Sequence, residues 1–464
     1  MIDILPNEVL LDVFDHIRPE CSRPDFESGH SPVWKWHILV HVCRRWRQIV
    51  FASPLRLNLE LLCTQGTPVR GYLDCWPAFP IVIDYNTFRC LTPNDEENVL
   101  AALEHCTRIR HINLNVSISF WSKMATVMRE PFPALTSLSV FASNNQNGPF
   151  LLPVGFLGGS APRLRDIQFQ GFPSPTFLNL FPHTCDLVKL DLIDCDAHLA
   201  GCVSLAGLIL CLAMLPKLKS LSIVVDLLLT SRTDHWQTFL TGTTRAVLPA
   251  LTSFSFEGGC TYLEDFVTEI DTPGLDSVHI TFSDPHVYEI PRLSEFLNRT
   301  ALKPSRFELA KLTFDRCDTG TIDLIHGPCQ PSFTIDVLFC EEINDQLWCV
   351  AQVLRQTSTM LSNVVYLDII AGSREEGDEE IDDIHWPELL SPFNAVETLH
   401  VYADSDFAES IAHALEDTQV LPALTLLYFK GVGVGVIAKS IVLQGRDYTF
   451  IDYEEEELNS EGSD

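Results

Sequence analysis

Pro133-Ala134-Leu135-Thr136-Ser137-Leu138 is nearly restated as Pro249-Ala250-Leu251-Thr252-Ser253-Phe254, and again as Pro422-Ala423-Leu424-Thr425-Leu426-Leu427. Each copy opens a phrase in which an apolar residue is followed by apolars at plus three and plus five, as in Leu135-Leu138-Val140. Eleven such phrases run from Ile109-Ile112-Leu114 to Leu424-Leu427-Phe429, and successive starts lie 23 to 34 residues apart except for one gap of 55. The gap separates Leu309-Leu312-Phe314 from Val364-Leu367-Ile369, with room for a degenerate repeat around Phe333 to Phe339. Side chains alternate along a strand, so the plus-three and plus-five residues share one face. The pattern predicts short strands with an apolar anchor leading in, and returns by helix or irregular turn. Stacked units would bury one continuous core behind a parallel sheet.

Between strands, Asp95 to Cys106 and Asp406 to Leu415 read as helices, the latter through Phe407, Ile411 and Leu415. The phrase resembles the L-x-x-L-x-L core of leucine-rich repeats over roughly residues 100 to 430. Cys195 and Cys317 fit the Cys or Asn that such repeats place three residues after the last Leu, and most other units lack it. The resemblance is therefore to an irregular repeat.

Ahead of the repeats, Pro6 suits the first turn of a helix, where its missing N–H is no loss. Val9, Leu10, Val13, Phe14 and Ile17 then form one apolar stripe. Glu20 to Pro32 is polar and reads as a loop. From Trp34 a second run places Ile38, Val42, Cys43, Trp46, Ile49 and Val50 on one helical face, and Ser53-Pro54 closes it. About 55 residues are marginal alone, so this module should dock on a partner, on the rest of the chain, or on both.

Leu5-Pro6-x-Glu8-Val9-Leu10, Phe14, Val42-Cys43-Arg44-Arg45-Trp46 and Ser53-Pro54 together resemble an F-box over roughly residues 3 to 57. The loop from Glu20 to Pro32 is longer than in compact members. The resemblance implies an adaptor similar to Skp1 and, through it, a cullin-RING ubiquitin ligase. The positions matching the family's adaptor surface are Leu5, Pro6, Val9, Leu10, Phe14, Val42 and Trp46. Internal packing is an equal reading for these positions, except at Leu5 and Pro6, where contact is favoured.

The expected fold class is therefore α/β, an F-box-like helical module followed by a leucine-rich-repeat-like solenoid with parallel strands. Its divisions are a module at 1–62, a linker or capping segment at 63–99, irregular repeats at 100–445 and an acidic tail at 446–464. Residues 371–385, AGSREEGDEEIDDIH, set a run of acids against Arg374 and read as a solvated loop; Gly431-Val432-Gly433-Val434-Gly435 reads as a tight turn or bulged strand.

The 62 acidic and 31 basic residues give a formal net charge of -31, which repels nucleic acid and anionic lipid and favours basic partners. Hydrophobic residues make up 46% of the chain, enough for a sizeable core. The strongest apolar stretches, Leu205 to Leu215 and Leu221 to Leu229, are too short to span a bilayer. Met1 to Leu11 lacks the pattern of a secretory signal, so an intracellular location, cytoplasm or nucleus, is expected. The 15 cysteines form no C-x-x-C pair and are read as reduced, with Cys43, Cys195 and Cys211 serving as small hydrophobes. Asn115-Val116-Ser117 and Asn298-Arg299-Thr300 then match the glycosylation pattern by chance.

No G-x-S-x-G elbow, H-E-x-x-H pair or phosphate loop is present, and His105 and His111 read as ordinary helix or strand positions. No catalytic residue, metal or cofactor is expected. A ligase subunit of this kind works by proximity, holding a substrate lysine near the charged carrier. The alternative is a non-catalytic repeat protein whose interactions are not coupled to degradation. The protein substrate itself is not readable from the sequence.

Overall fold

The threonine of each Pro-Ala-Leu-Thr copy ties its repeat to the one before. In a computed structural model of the chain, Thr136 Oγ1 donates to Arg110 O at 2.9 Å, Thr252 Oγ1 to Lys219 O at 3.2 Å and Thr425 Oγ1 to Glu397 O at 3.1 Å. Each acceptor follows the apolar anchor of the preceding repeat. The proline has an equally local cause. Leu135 N donates to Phe132 O, Leu251 N to Leu248 O and Leu424 N to Leu421 O, closing four-residue turns with proline at the second position. Pro162, Pro216 and Pro273 occupy the same place in three further turns.

The structure describes residues 5–16, 36–54, 56–57, 59–65, 69–74, 76–85, 91–142, 152–172, 186–193, 205–225, 245–283, 289–302, 307–315, 319–325, 331–338, 343–372, 385–417, 419–430 and 449–452. The loop at 20–32, Cys195, Cys317, the glycine run at 431–435, most of the acidic segment at 371–385 and most of the tail fall outside them. The chain divides into two compact units, Met1–Cys195 with Leu199–Cys202, and Asp196–His198 with Val203–Asp464.

The first unit opens with α1 (Asn7–His16), α2 (His37–Val42) and α3 (Arg44–Ala52). Six parallel strands follow among its described residues: β1 (Leu61–Cys63), β2 (Ile81–Tyr85), β3 (Ile109–Val116), β4 (Ser137–Ala142), β5 (Asp166–Gln170) and β6 (Lys189–Ile193). β2 and the start of α4 lie in the segment 63–99 expected as a linker or cap. Parallel neighbours need a crossover, here supplied by α4 (Pro93–Leu103) before β3 and α5 (Ile118–Val127) before β4. Thr92 and Asp95 cap α4 reciprocally, with Pro93 in its first turn. Inward residues stack in register, Ile83, Ile112, Leu138, Ile167 and Leu190 in one row, Tyr85, Leu114, Val140, Phe169 and Leu192 in the next.

The second unit holds β7 (Ser220–Val224), β8 (Ala246–Val247), β9 (Ser253–Gly258), β10 (Ile270–Asp271), β11 (Ser277–Phe282), β12 (Leu309–Asp315), β13 (Thr319–Ile325), β14 (Pro331–Leu338), β15 (Tyr366–Ala371), β16 (Thr398–Tyr402), β17 (Leu426–Lys430) and β18 (Thr449–Asp452). Its helices are α6 (Leu205–Ala213), α7 (Cys260–Thr268), α8 (Pro291–Arg299), α9 (Ile343–Gln356), α10 (Ser358–Leu361), α11 (His385–Leu390) and α12 (Ser405–Ala414).

Its sheet is not purely parallel, which corrects the sequence reading. The 55-residue gap holds an antiparallel meander: β12 pairs β13, and β13 pairs β14. β14 lies parallel to β11, while β12 lies parallel to β15. Phe333, Ile335 and Val337 of β14 are buried, so a strand does sit where a degenerate repeat was expected. It arrives by a hairpin rather than by a crossover. The return to β15 runs through α9, which packs over β12, β13 and β14. Gly320 on β13 permits that approach, since a Cβ there would stand 2.9 Å from Val350 Cγ2.

Ten of the eleven phrases have all three apolar residues buried. The exception is Leu309-Leu312-Phe314, whose frame was misread. Leu309 pairs with outward Tyr366, and the inward set is Phe307, Ala310 and Leu312, aligned with Val364, Leu367 and Ile369. Small Ala310 hid the true frame and let Phe314, a further inward position, stand in for it.

α8 lacks a capping side chain of its own at Ile290. Glu264 of α7 replaces it, accepting from Arg292 N at 2.9 Å and Leu293 N at 2.7 Å. Glu264→Ala would strand both amides and is expected to cost about 1–3 kcal/mol, measured by denaturant unfolding. Desolvation raises the Glu264 carboxyl above its ordinary value despite these two donors. With its folded value above its unfolded one, the group favours folding most below the unfolded pKa. That contribution is lost as pH rises through the folded value. Glu264→Gln should flatten this part of the stability–pH curve.

Among the described cysteines, Cys43, Cys63, Cys106 and Cys211 are free. Burial pushes the Cys63 and Cys211 thiols up to about 12, which leaves them unreactive. Among the described residues, no helix is long and apolar enough to cross a membrane.

Candidate functional site

The second helical run breaks at Cys43, which is extended (φ −157, ψ 169). Its sulfur accepts from Trp46 N at 3.4 Å and caps α3, a role the apolar period concealed. The break turns α2 relative to the continuous helix expected. Leu39 and Val40 point inward, while Ile38 and Val42 are each 55% exposed. Ile49 and Val50 of α3 are buried as foreseen.

α1 divides in the same manner. Leu10 and Phe14 are buried, with Phe14 edge-on to Trp46 at 4.8 Å between ring centroids. Leu5, Val9 and Val13 stay exposed, as does Pro6. Of the seven residues assigned to an adaptor surface, Leu5, Pro6, Val9 and Val42 face solvent. Leu10 and Phe14 are buried within the chain, Phe14 against Trp46 of α3. Trp46 is half-buried against them. Val13 and Ile38 were missed as surface positions, although each lies four residues from an assigned one on the same helix face.

Polar contacts fix this arrangement. Arg45 reaches Asn7 Oδ1 and Leu5 O, joining the start of α3 to the start of α1. Arg56 pairs with Asp12 and Asp15 from the chain beyond α3. Arg47 Nε donates to Val40 O at 2.9 Å. The module also rests on the first strands: buried Trp36 packs on Trp76 at 4.9 Å and Phe79 at 5.4 Å, and its indole donates to Glu60 O at 3.0 Å. Glu60 in turn holds Arg110 of β3 at 3.0 Å. Arg45, Arg47 and Arg56 are thus engaged in internal bonds.

No family model matches the sequence. No curated protein matches it either. Among solved structures, the leucine-rich-repeat-containing protein LegL7 from Legionella pneumophila is similar at 12% identity and a TM-score of 0.31, over 72% of this chain and 99% of that one.

The strand faces carry ion pairs whose geometry is structural. His279 Nε2 lies 3.3 Å from both Asp336 Oδ2 and Thr281 Oγ1. Acid and hydroxyl therefore share one ring nitrogen, whereas a relay to a nucleophile needs both. His400 Nδ1 lies 3.1 Å from Asp368 Oδ1, with its ring edge-on to Tyr428. Desolvation raises Asp368, opposed by His400 and Lys311. Among the described residues, no group of three His, Cys, Asp or Glu is placed to hold a metal ion.

Proposed function

We propose that this chain is the substrate-recognition subunit of an SCF-type (cullin-RING) ubiquitin ligase acting in the cytoplasm or nucleus. Its N-terminal helices dock a Skp1-like adaptor, and its strand–helix repeats hold a protein substrate. The observation that supports this most is the division of α1 and α2 into a packed inner face and an outward apolar one. Leu5, Val9, Val13, Ile38 and Val42 are exposed although the rest of the module is well packed. Isolated exposed apolar residues are ordinary, but four on two short helices, with Leu5 just ahead of the first, set out a surface for a partner. The chain supplies no catalytic group to this reading. It contributes proximity, converting a bimolecular encounter into an effectively intramolecular one.

The test is substrate turnover. Proteins that accumulate when the chain is removed should also accumulate when it is replaced by a Leu5→Ala, Pro6→Ala variant. If that variant restores their turnover in full, Leu5 and Pro6 are not the adaptor surface; if no protein accumulates when the chain is removed, it is an interaction protein not coupled to degradation.

A further inference from the structure

In the first unit, the outward side of the sheet carries a polar row in register: Asp84, Asn113, Ser139, Gln168 and Asp191 on five successive strands. Its acceptors outnumber its donors. Asn113 Nδ2 donates to Asp84 Oδ1 at 3.1 Å, and Lys189 Nζ holds Asp191 Oδ2 at 2.8 Å. The other oxygens, Asn113 Oδ1 and Asp191 Oδ1, are buried and accept nothing among the described residues. Asp191 is only 7% exposed, so its unmet oxygen is a costly feature for the chain to retain.

We propose that this row binds an extended protein segment through a basic side chain, with a guanidinium meeting Asp191. A guanidinium has five donors and no acceptor, the complement of a carboxylate oxygen without a donor, here Asp191 Oδ1. The charge agrees, since Asp84, Asp166 and Asp191 on this face outweigh Lys189, within a chain of net charge -31. Burial also holds His111, beside this row, below its ordinary value, so it adds little positive charge. Five strands at ~4.8 Å spacing span roughly 19 Å, the reach of about six extended residues. Asn113, Ser139 and Gln168 between the ends are suited to the amides of such a segment. The inference rests on the reading of the repeats as the recognition surface, and it names the class of substrate.

The experiment uses the full chain and fluorescein-labelled nonapeptide pools, degenerate except for a central arginine, citrulline or glutamate. Anisotropy should show saturable binding of the arginine pool and at least ~10-fold weaker binding of the other two. Asp191→Asn keeps the shape and should weaken the arginine pool about 10-fold. Ser139→Arg, at a half-exposed position, should abolish binding by supplying the cation within the row. Equal binding of the citrulline pool, no saturable binding, or unchanged affinity in both variants would overturn the proposal. Ser139→Arg should still form a complex with a Skp1-like adaptor. If adaptor binding is absent while arginine-selective binding persists, the ligase reading fails and the row stands.

Discussion

Val9→Asp combined with Ile38→Asp is expected to weaken adaptor binding by roughly 30-fold or more, the effect of losing a central contact worth about 2 kcal/mol. Each aspartate would place an unpaired charge in a contact that must be dry. The fold should tolerate both. Val9 and Ile38 are exposed and lie in the first turns of their helices, where an acidic side chain suits the helix dipole. Thermal unfolding should therefore be nearly unchanged. Phe14→Leu is the opposite case. It trims a wholly buried ring from its contact with Trp46 and should cost about 1–1.5 kcal/mol with adaptor affinity retained. Isothermal titration with a purified Skp1-like adaptor, beside a melting curve for each variant, reads both quantities. A Phe14→Leu protein that stays folded but loses the adaptor would contradict the division of α1 into two faces.

Trp386→Ala should be the most damaging single change in the second unit, at about 3–5 kcal/mol. Trp386 is fully buried, edge-on to Phe407 at 5.1 Å and to Phe314 at 6.2 Å, so it joins α11, α12 and β12. Phe407 and Phe314 also meet each other at 5.8 Å, and removal of the indole would open a cavity lined by these two rings. Trp386→Phe should behave differently. The indole N–H is buried without an acceptor among the described residues, a burden of about 1–3 kcal/mol that phenylalanine removes. The lost ring volume offsets that gain, leaving a net change within about 1.5 kcal/mol. Denaturant unfolding of the two variants separates packing from the orphaned donor.

These two predictions draw on parts of the molecule that differ in how legible they were. The inward rows were readable because anchor, plus-three and plus-five are local and repeat with the strand's alternation. The Pro-Ala-Leu-Thr copies had a local cause too, in a turn and a threonine bond to the preceding repeat. The meander at Leu309 to Leu338 was not readable, since strand direction is set by pairing between distant residues. Within it, the small Ala310 broke the apolar signal that would have shown the frame. At the N-terminus the apolar stripe was too broad to assign one face. Val9 and Leu10, or Val13 and Phe14, are adjacent in sequence yet lie on opposite sides of the α1 boundary between core and solvent. Cys43 concealed the break between α2 and α3 because cysteine is apolar in a periodic scan, while its sulfur caps the next helix. From Asn113 to Asp191 the outward polar row falls at the plus-four position of each phrase, but its mixed residue types gave no signal of their own until the register of the strands aligned them.

The proposed docking of the N-terminal helices is tested most directly by hydrogen exchange on the full chain, with and without a saturating Skp1-like adaptor. The account predicts a one-to-one complex with new amide protection over Val9–Val13 and Ile38–Val42, and no change on β3 to β6. No complex, or protection confined to the strands while α1 and α2 exchange as before, would contradict it.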